Sequence, residues 1–199
     1  GVMHRMHHAF ADTEDDPHSP KYDESIFKMM WKTKTIYSAI ASGEEIPEKR
    51  FTDGVPRWEI FDRFARSWPS RVIWGASYVV FYYFFATEIW LWALLPLQFL
   101  FSPIHGAIIN WFAHKYGYRN YDVKDTSRNF LPFDFLMMGE SYHNNHHKYG
   151  NRPNFGGIRW HEIDPTYQMI KVLNFFGVIK IKEHKEVALR ENLKRKQAA

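Results

Sequence analysis

The sequence predicts an all-α integral membrane protein: a transmembrane hairpin carrying a cytosolic helical cap with clustered histidines. Three observations predict it. Two uncharged apolar runs, 72–86 and 89–113, are separated only by Thr87 and Glu88. The word H-x-x-H-H occurs twice, as His4–His7–His8 and as His143–His146–His147. Elsewhere apolar residues recur at helical spacing among basic ones, as in ESIFKMMWKTKTIYSAI. With 199 residues the chain is expected to form one domain or one membrane module.

Composition narrows the chemistry. Aromatic residues make up 18%, including 8 Trp, a bias suited to the membrane interface. The net charge of +4 suits an anionic neighbour, either a phospholipid surface or a phosphorylated substrate. No nucleic-acid motif accompanies it. Cysteine is absent, which excludes disulfides, thiolate zinc sites, iron–sulfur clusters and a cysteine nucleophile. A bound metal would have to be held by His, Asp, Glu or Asn. No G-x-S-x-G, Walker loop or G-x-G-x-x-G occurs. The chain starts with glycine, with a candidate ligand already at position 4, and is expected to be a fragment lacking its N-terminus.

Taken in order, residues 1–20 open with the first histidine word and pass into ADTEDDPHSP, an acidic turn stopped by Pro17 and Pro20. The following ESIFKMMWKTKTIYSAI reads as an amphipathic helix on the protein surface or at the bilayer interface. ASGEEIPEKRFTDGVPR reads as loop, and WEIFDRFARSWPSR as a short amphipathic helix ending at Pro69. A spanning helix needs about 20 mostly apolar residues, which 89–113 supplies and 72–86 approaches. A hairpin returns to its starting side, so 1–70 and 115–199 share one face. Arg63, Arg66 and Arg71 precede the hairpin and Lys115 and Arg119 follow it, which makes that face cytoplasmic. The tail KIKEHKEVALRENLKRKQAA reads as a charged helix.

Residues at i, i+3 and i+4 of a helix fall on one face, so each histidine word presents three imidazoles together. The expected number of such words in this composition is about 0.03, and two have a probability on the order of 1 in 2,000. Six imidazoles exceed what one zinc takes, and two metals fit better. Imidazole suits zinc, copper, nickel and iron alike. INWFAH adds Asn110 and His114 at i and i+4 near the end of the second run. His105 lies nine residues earlier, about half a turn round the helix and roughly 13 Å deeper, and is not expected at the same site. Metal-bound imidazoles commonly pass their other N–H to a carboxylate; Glu140 and Asp16 are the candidates. Asp12, Glu14 and Asp15 read equally as a solvated turn, and His18 and His161 as structural residues.

The words HRMHH with ADTEDDPHSP, NWFAH with GYR, GESYHNNHH and RWHEIDPTY together resemble the membrane fatty-acyl desaturases of the acyl-CoA Δ9 type. The likeness covers the start of the chain and roughly 105–180; residues 21–70 match less well and read as a lineage-specific insertion. It implies two iron ions at the cytosolic membrane surface, with O2 as co-substrate. It implies His4, His7 and His8 as a second histidine box and His143, His146 and His147 as a third. His114 corresponds to a further ligand, and Asn110 to a residue that approaches one iron through water. The family's first box and first hairpin have no counterpart here. The implied reaction introduces a cis double bond into a saturated fatty-acyl chain. The substrate is fatty acyl-CoA or an acyl lipid, and electrons come from a separate protein of cytochrome b5, ferredoxin or rubredoxin type. The competing expectations are a di-iron membrane hydroxylase of alkyl, sterol or carotenoid substrates, and a membrane protein that binds metal without catalysis.

Overall fold

The structure is a computed structural model, and it describes residues 1–181. The described residues are helical, without a β-strand; Tyr118–Asn129 and Asn129–Tyr142 form isolated bridges. The helices are α1 (Val2–Phe10), α2 (Ile26–Ser42), α3 (Lys49–Thr52), α4 (Glu59–Arg66), α5 (Trp68–Phe85), α6 (Leu95–Phe112), α7 (His143–Lys148) and α8 (Pro165–Phe175). A 3₁₀ segment, Ile89–Leu94, leads into α6. The charged helix expected in the tail falls outside the described residues from 182 onward.

Local chemistry sets the helix ends. Ser25 and Asp164 cap α2 and α8, accepting from the backbone N–H of Lys28 at 3.3 Å and of Tyr167 at 2.9 Å. Gly43 ends α2 in the left-handed region at φ 82°. The boundary expected at Pro69 moves. α4 stops at Arg66, Ser67 caps the next helix, and Pro69 lies in the first turn of α5. Proline is tolerated there because its missing N–H has no intrahelical partner to lose.

Helices α5 and α6 pack side by side. Tyr78 meets Phe99 edge-on at 5.5 Å and Tyr82 meets Trp92 at 5.9 Å. Gly75 lies beside the Phe99 ring, where an added Cβ would make an ordinary contact at 3.6 Å. Ile89–Phe112, 24 residues, is long and apolar enough to cross a bilayer. α5, with Ser70 and Arg71 in its first turn, is less apolar over the same length. Both expose bulky apolar side chains, among them Phe81, Phe84, Trp90 and Phe101. The short helix α4 exposes Ile60, Phe61 and Phe64 beside Trp58, with arginines on its other face.

The remainder packs around a polar interior. Buried hydrophobic residues are few (Met29, Phe51, Ile109, Ala113 and Tyr142), while buried polar ones include five histidines, Asn129, Asn144, Asn145 and Glu162. Glu162, 3% exposed, is the hub. Its carboxylate accepts from Tyr118 Oη at 2.8 Å, Asn120 Nδ2 at 2.6 Å, Asn145 Nδ2 at 3.1 Å and the backbone N–H of Ile158 at 2.9 Å. Asn129 Nδ2 and the Arg159 N–H add to these at 3.3 Å and 3.1 Å. Six donors replace the water lost on burial.

The turn at Gly117 closes this network. Gly117 has φ 118°, and an added Cβ would collide with the backbone of Asn129 and Phe130. Gly117→Ala is therefore expected to cost at least about 2 kcal/mol of stability, read as a lower thermal midpoint in detergent.

Candidate metal centre

Helix α7 has only six residues, too short to persist alone. The asparagines inside HNNHH hold it. Asn144 Oδ1 accepts from the backbone N–H groups of Asn120 and Tyr121, both at 2.9 Å. Asn144 Nδ2 donates to Tyr121 O and Ser127 O, and Asn129 Oδ1 receives the Asn144 N–H at 3.0 Å. Asn145 reaches Glu162 and the carbonyl of Phe155. With Asn144 and Asn145 pinned into the polar core, α7 turns His146 and His147 toward the α1 histidines and His143 toward His114.

Seven histidines meet there in two groups. One is His7, His114, His143 and His147; the other is His4, His8 and His146. In the first, Nε2 of His7 stands 3.1 Å from that of His147, His147 stands 3.1 Å from His143, and His143 3.2 Å from His114. In the second, the Nε2 separations are 3.0 Å for His4–His146, 3.2 Å for His4–His8 and 2.8 Å for His8–His146. Nitrogens bound to one ion at about 2.0–2.1 Å would stand about 2.9–3.4 Å apart.

Tautomers strengthen the fit to a cation. His7 Nδ1 donates to Asp16 at 2.9 Å and His147 Nδ1 donates to Asp125 at 3.0 Å. An ionised carboxylate only accepts, so in the neutral ring the proton sits on Nδ1 and Nε2 carries a lone pair. Two such lone pairs facing each other at 3.1 Å repel unless a cation lies between them. Burial, and after it the neighbouring imidazoles, lower the proton affinity of the rings. His4 falls to about 4, His8 and His114 to about 3 and His146 to about 2, while His143 goes well below its ordinary value. Neutral imidazole is the metal-binding form.

The same shifts fix a pH dependence. Between pH 6.5 and these low values the unfolded chain binds more protons than the folded one. Stability is therefore complete above pH 6.5 and is lost as pH falls below it. Each deeply buried ring contributes on the order of 1 kcal/mol per pH unit in that window. Urea unfolding of the metal-free chain in detergent, followed by near-UV circular dichroism, is expected to show lower stability at pH 5 than at pH 7.5.

The remaining expected site residues fall as follows. Asp16 is fully buried against His7. Glu140 lies elsewhere, beside Asp134 and Asp164, with its proton affinity raised by burial and by those two acids. The expectation that it shares the histidine face assumed one helix through 140–147. The helix starts at His143, after a turn with Met138 and Gly139 at positive φ, so Glu140 is outside it and the helical spacing does not apply. Asn110, in the last turn of α6, sits four residues before His114, which lies in the turn just beyond the helix. His105 is apart from the site, stacked on Phe101 at 5.9 Å.

Three site residues carry little or no signal in the sequence. Asp125 stands in a charged loop and reads as solvated, yet it accepts from His147. Asp12, expected on a solvated turn, is buried at φ 60°; it accepts from Ser19 Oγ at 2.9 Å and from the Thr126 N–H, 3.8 Å from His114 Nδ1. His18 is buried 4.3 Å from the His7 ring and forms a third group with His7 and Asp16. The D-x-x-x-D-P-H spacing is the signal that points to Asp12 and His18, because Pro17 forces the turn that folds both back.

A model of the fatty acid desaturase family matches residues 2–173. The Delta-9 desaturase-like 4 protein of Arabidopsis thaliana is 31% identical over 183 residues, 88% of this chain and 56% of the relative. The sn-1 stearoyl-lipid 9-desaturase of Synechocystis sp. is 31% identical over 190 residues, 89% of this chain and 53% of the relative. That of Anabaena variabilis is 28% identical over 184 residues, 88% and 61%. The chain thus spans somewhat more than half the length of these curated relatives. No solved structure matches.

Proposed function

The chain belongs to the fatty acid desaturase family, and from that premise we propose that it is part of an oxygen-dependent di-iron desaturase. The reaction introduces a cis double bond, at Δ9, into a saturated fatty-acyl chain carried on CoA or on a lipid. The observation that carries the reading is the convergence of seven imidazole Nε2 atoms from α1, the turn after α6 and α7 into two groups with ligand-like separations. Iron, when bound, would supply with O2 the oxidising power that an unactivated C–H bond requires and acid–base side chains lack.

The chain's own residues do the rest. His7, His114, His143 and His147 would hold one ion, and His4, His8 and His146 the other. Asp16 and Asp125 fix the Nδ1–H tautomers and so aim the Nε2 lone pairs. The asparagine–Glu162 network keeps α7 in register. In the proposed setting α5 and Ile89–Phe112 form a transmembrane hairpin, with 1–70 and 115–181 on its cytoplasmic side. The exposed aromatic faces of α5 and α6 support this, as do Trp58, Ile60, Phe61 and Phe64 of the α4 region, which would lie at the lipid boundary. In this reading electrons come from a donor protein of cytochrome b5, ferredoxin or rubredoxin type.

Expression of the full-length gene in a desaturase-deficient host, with fatty-acid profiling, tests the reading. A new cis double bond is expected. An alcohol would instead mark a hydroxylase, and an unchanged profile would overturn the enzymatic reading.

A further inference from the structure

We propose that the cavity between the last turns of α2, the end of α4 and the start of α5 binds the phosphate of an anionic phospholipid. The site depends on the membrane setting proposed above for α5 and not on the metal centre, since no histidine of either group lines the cavity.

The cavity holds about 440 Å³ and is lined by Arg63, Arg66 and Arg71, with the hydroxyls of Tyr37, Ser38 and Ser67. None of its lining residues is acidic. Local structure gathers the arginines. Arg63 and Arg66 stand one turn apart on α4, and the break at Ser67 brings in Arg71 from the first turn of α5. The Arg66 guanidinium is fixed in place: Nε donates to Asp62 O at 3.2 Å and Nη1 donates to Ala41 O near the end of α2. Both acceptors are neutral carbonyls, so they hold the group without cancelling its charge. The Asp62 carboxylate turns instead to the Trp58 N–H at 3.3 Å. Arg71 lies 5.0 Å from the centre of the Trp68 ring, a contact that orients it. Three guanidiniums around one cavity repel one another. A phosphate, whose oxygens accept their paired N–H donors, offsets that repulsion.

The position selects a lipid over a soluble phosphate. Ser67 and Arg71 are one turn apart on α5, and helical spacing continues their face to Trp74 and Tyr78, whose ring centres are 6.4 Å apart. A phosphate at Arg63 and Arg71 therefore sits where α5 enters the apolar layer, and its acyl chains lead down along Trp74. A zwitterionic headgroup would bring a quaternary ammonium among three guanidiniums, so the cavity favours a headgroup that carries net negative charge.

Titration of the full-length protein in detergent with dioctanoyl phosphatidylglycerol, followed by native mass spectrometry, tests this. One saturable lipid is expected, held at least about tenfold more tightly than dioctanoyl phosphatidylcholine. Arg63→Gln and Arg71→Gln are each expected to weaken it about fivefold, and the two together at least about twentyfold. Lys34→Gln removes the same charge from α2 outside the cavity and is expected to leave the affinity unchanged. All three side chains are exposed, so the variants are expected to keep the near-UV circular dichroism of the parent. Equal affinity for the two lipids, or an equal loss with Lys34→Gln, overturns the site. Displacement of the lipid by inorganic phosphate or octanoyl-CoA at matching concentration overturns the choice of a lipid. Release of the protein from membranes by alkaline carbonate would overturn the membrane setting itself.

Discussion

His143→Ala in the full-length protein is expected to lower double-bond formation by more than about a hundredfold. His143 is 2% exposed, and its Nε2 lies between those of His114 and His147, at 3.2 and 3.1 Å. With His147 it is one of the two inner nitrogens of the four-ring group. Removing even a residue that orients a ligand costs about 10–100-fold in metal affinity or activity, so loss of a ligand exceeds that range. His146→Ala should behave alike, through the three-ring group. Ile46→Ala, at an 87% exposed position of the loop after α2, should leave the product profile unchanged. Fatty-acid profiling at matched protein levels checks all three. Retained product with His143→Ala would mean that the ring is not a ligand.

The second large effect is on stability. Glu162→Ala is expected to destabilise the chain by about 3–5 kcal/mol, because it strands buried donors from Tyr118, Asn120, Asn129 and Asn145 together with two backbone N–H groups. Glu162→Gln keeps an oxygen for some of them but turns its NH2 toward other donors, so it should restore only part of the loss. Unfolding in detergent followed by near-UV circular dichroism measures both. A change below about 1 kcal/mol for Glu162→Ala would show that α7 is held by other means.

How far the sequence anticipates the centre depends on which residues are asked about. The imidazoles were legible because their spacing is a property of the helix: 4, 7 and 8 share a face whatever α1 packs against. His114 was legible from its position at the end of an apolar run. Glu140 was not, because the i, i+3 rule holds only inside a helix and Glu140 lies in the turn before α7, which begins only at His143. Asp125 and Asp12 were hidden for a different reason. A charged residue in a loop looks solvated until the fold brings a ring 3.0 Å from it, and that contact is made across 22 residues for Asp125 and His147. The Glu162 hub joins Tyr118, Asn129, Asn145 and Glu162 across the fold, a set that no local pattern connects. The helix class followed from periodicity; the α4–α5 boundary slipped because Pro69, read as a stop, occupies a first turn that needs no N–H from it.

The most direct test is an iron-edge anomalous difference map from crystals of the iron-loaded protein. The account predicts two peaks, one among the Nε2 atoms of His7, His114, His143 and His147 and one among those of His4, His8 and His146. A map with no peak between α1 and α7, or with those rings turned away from a common centre, would contradict it.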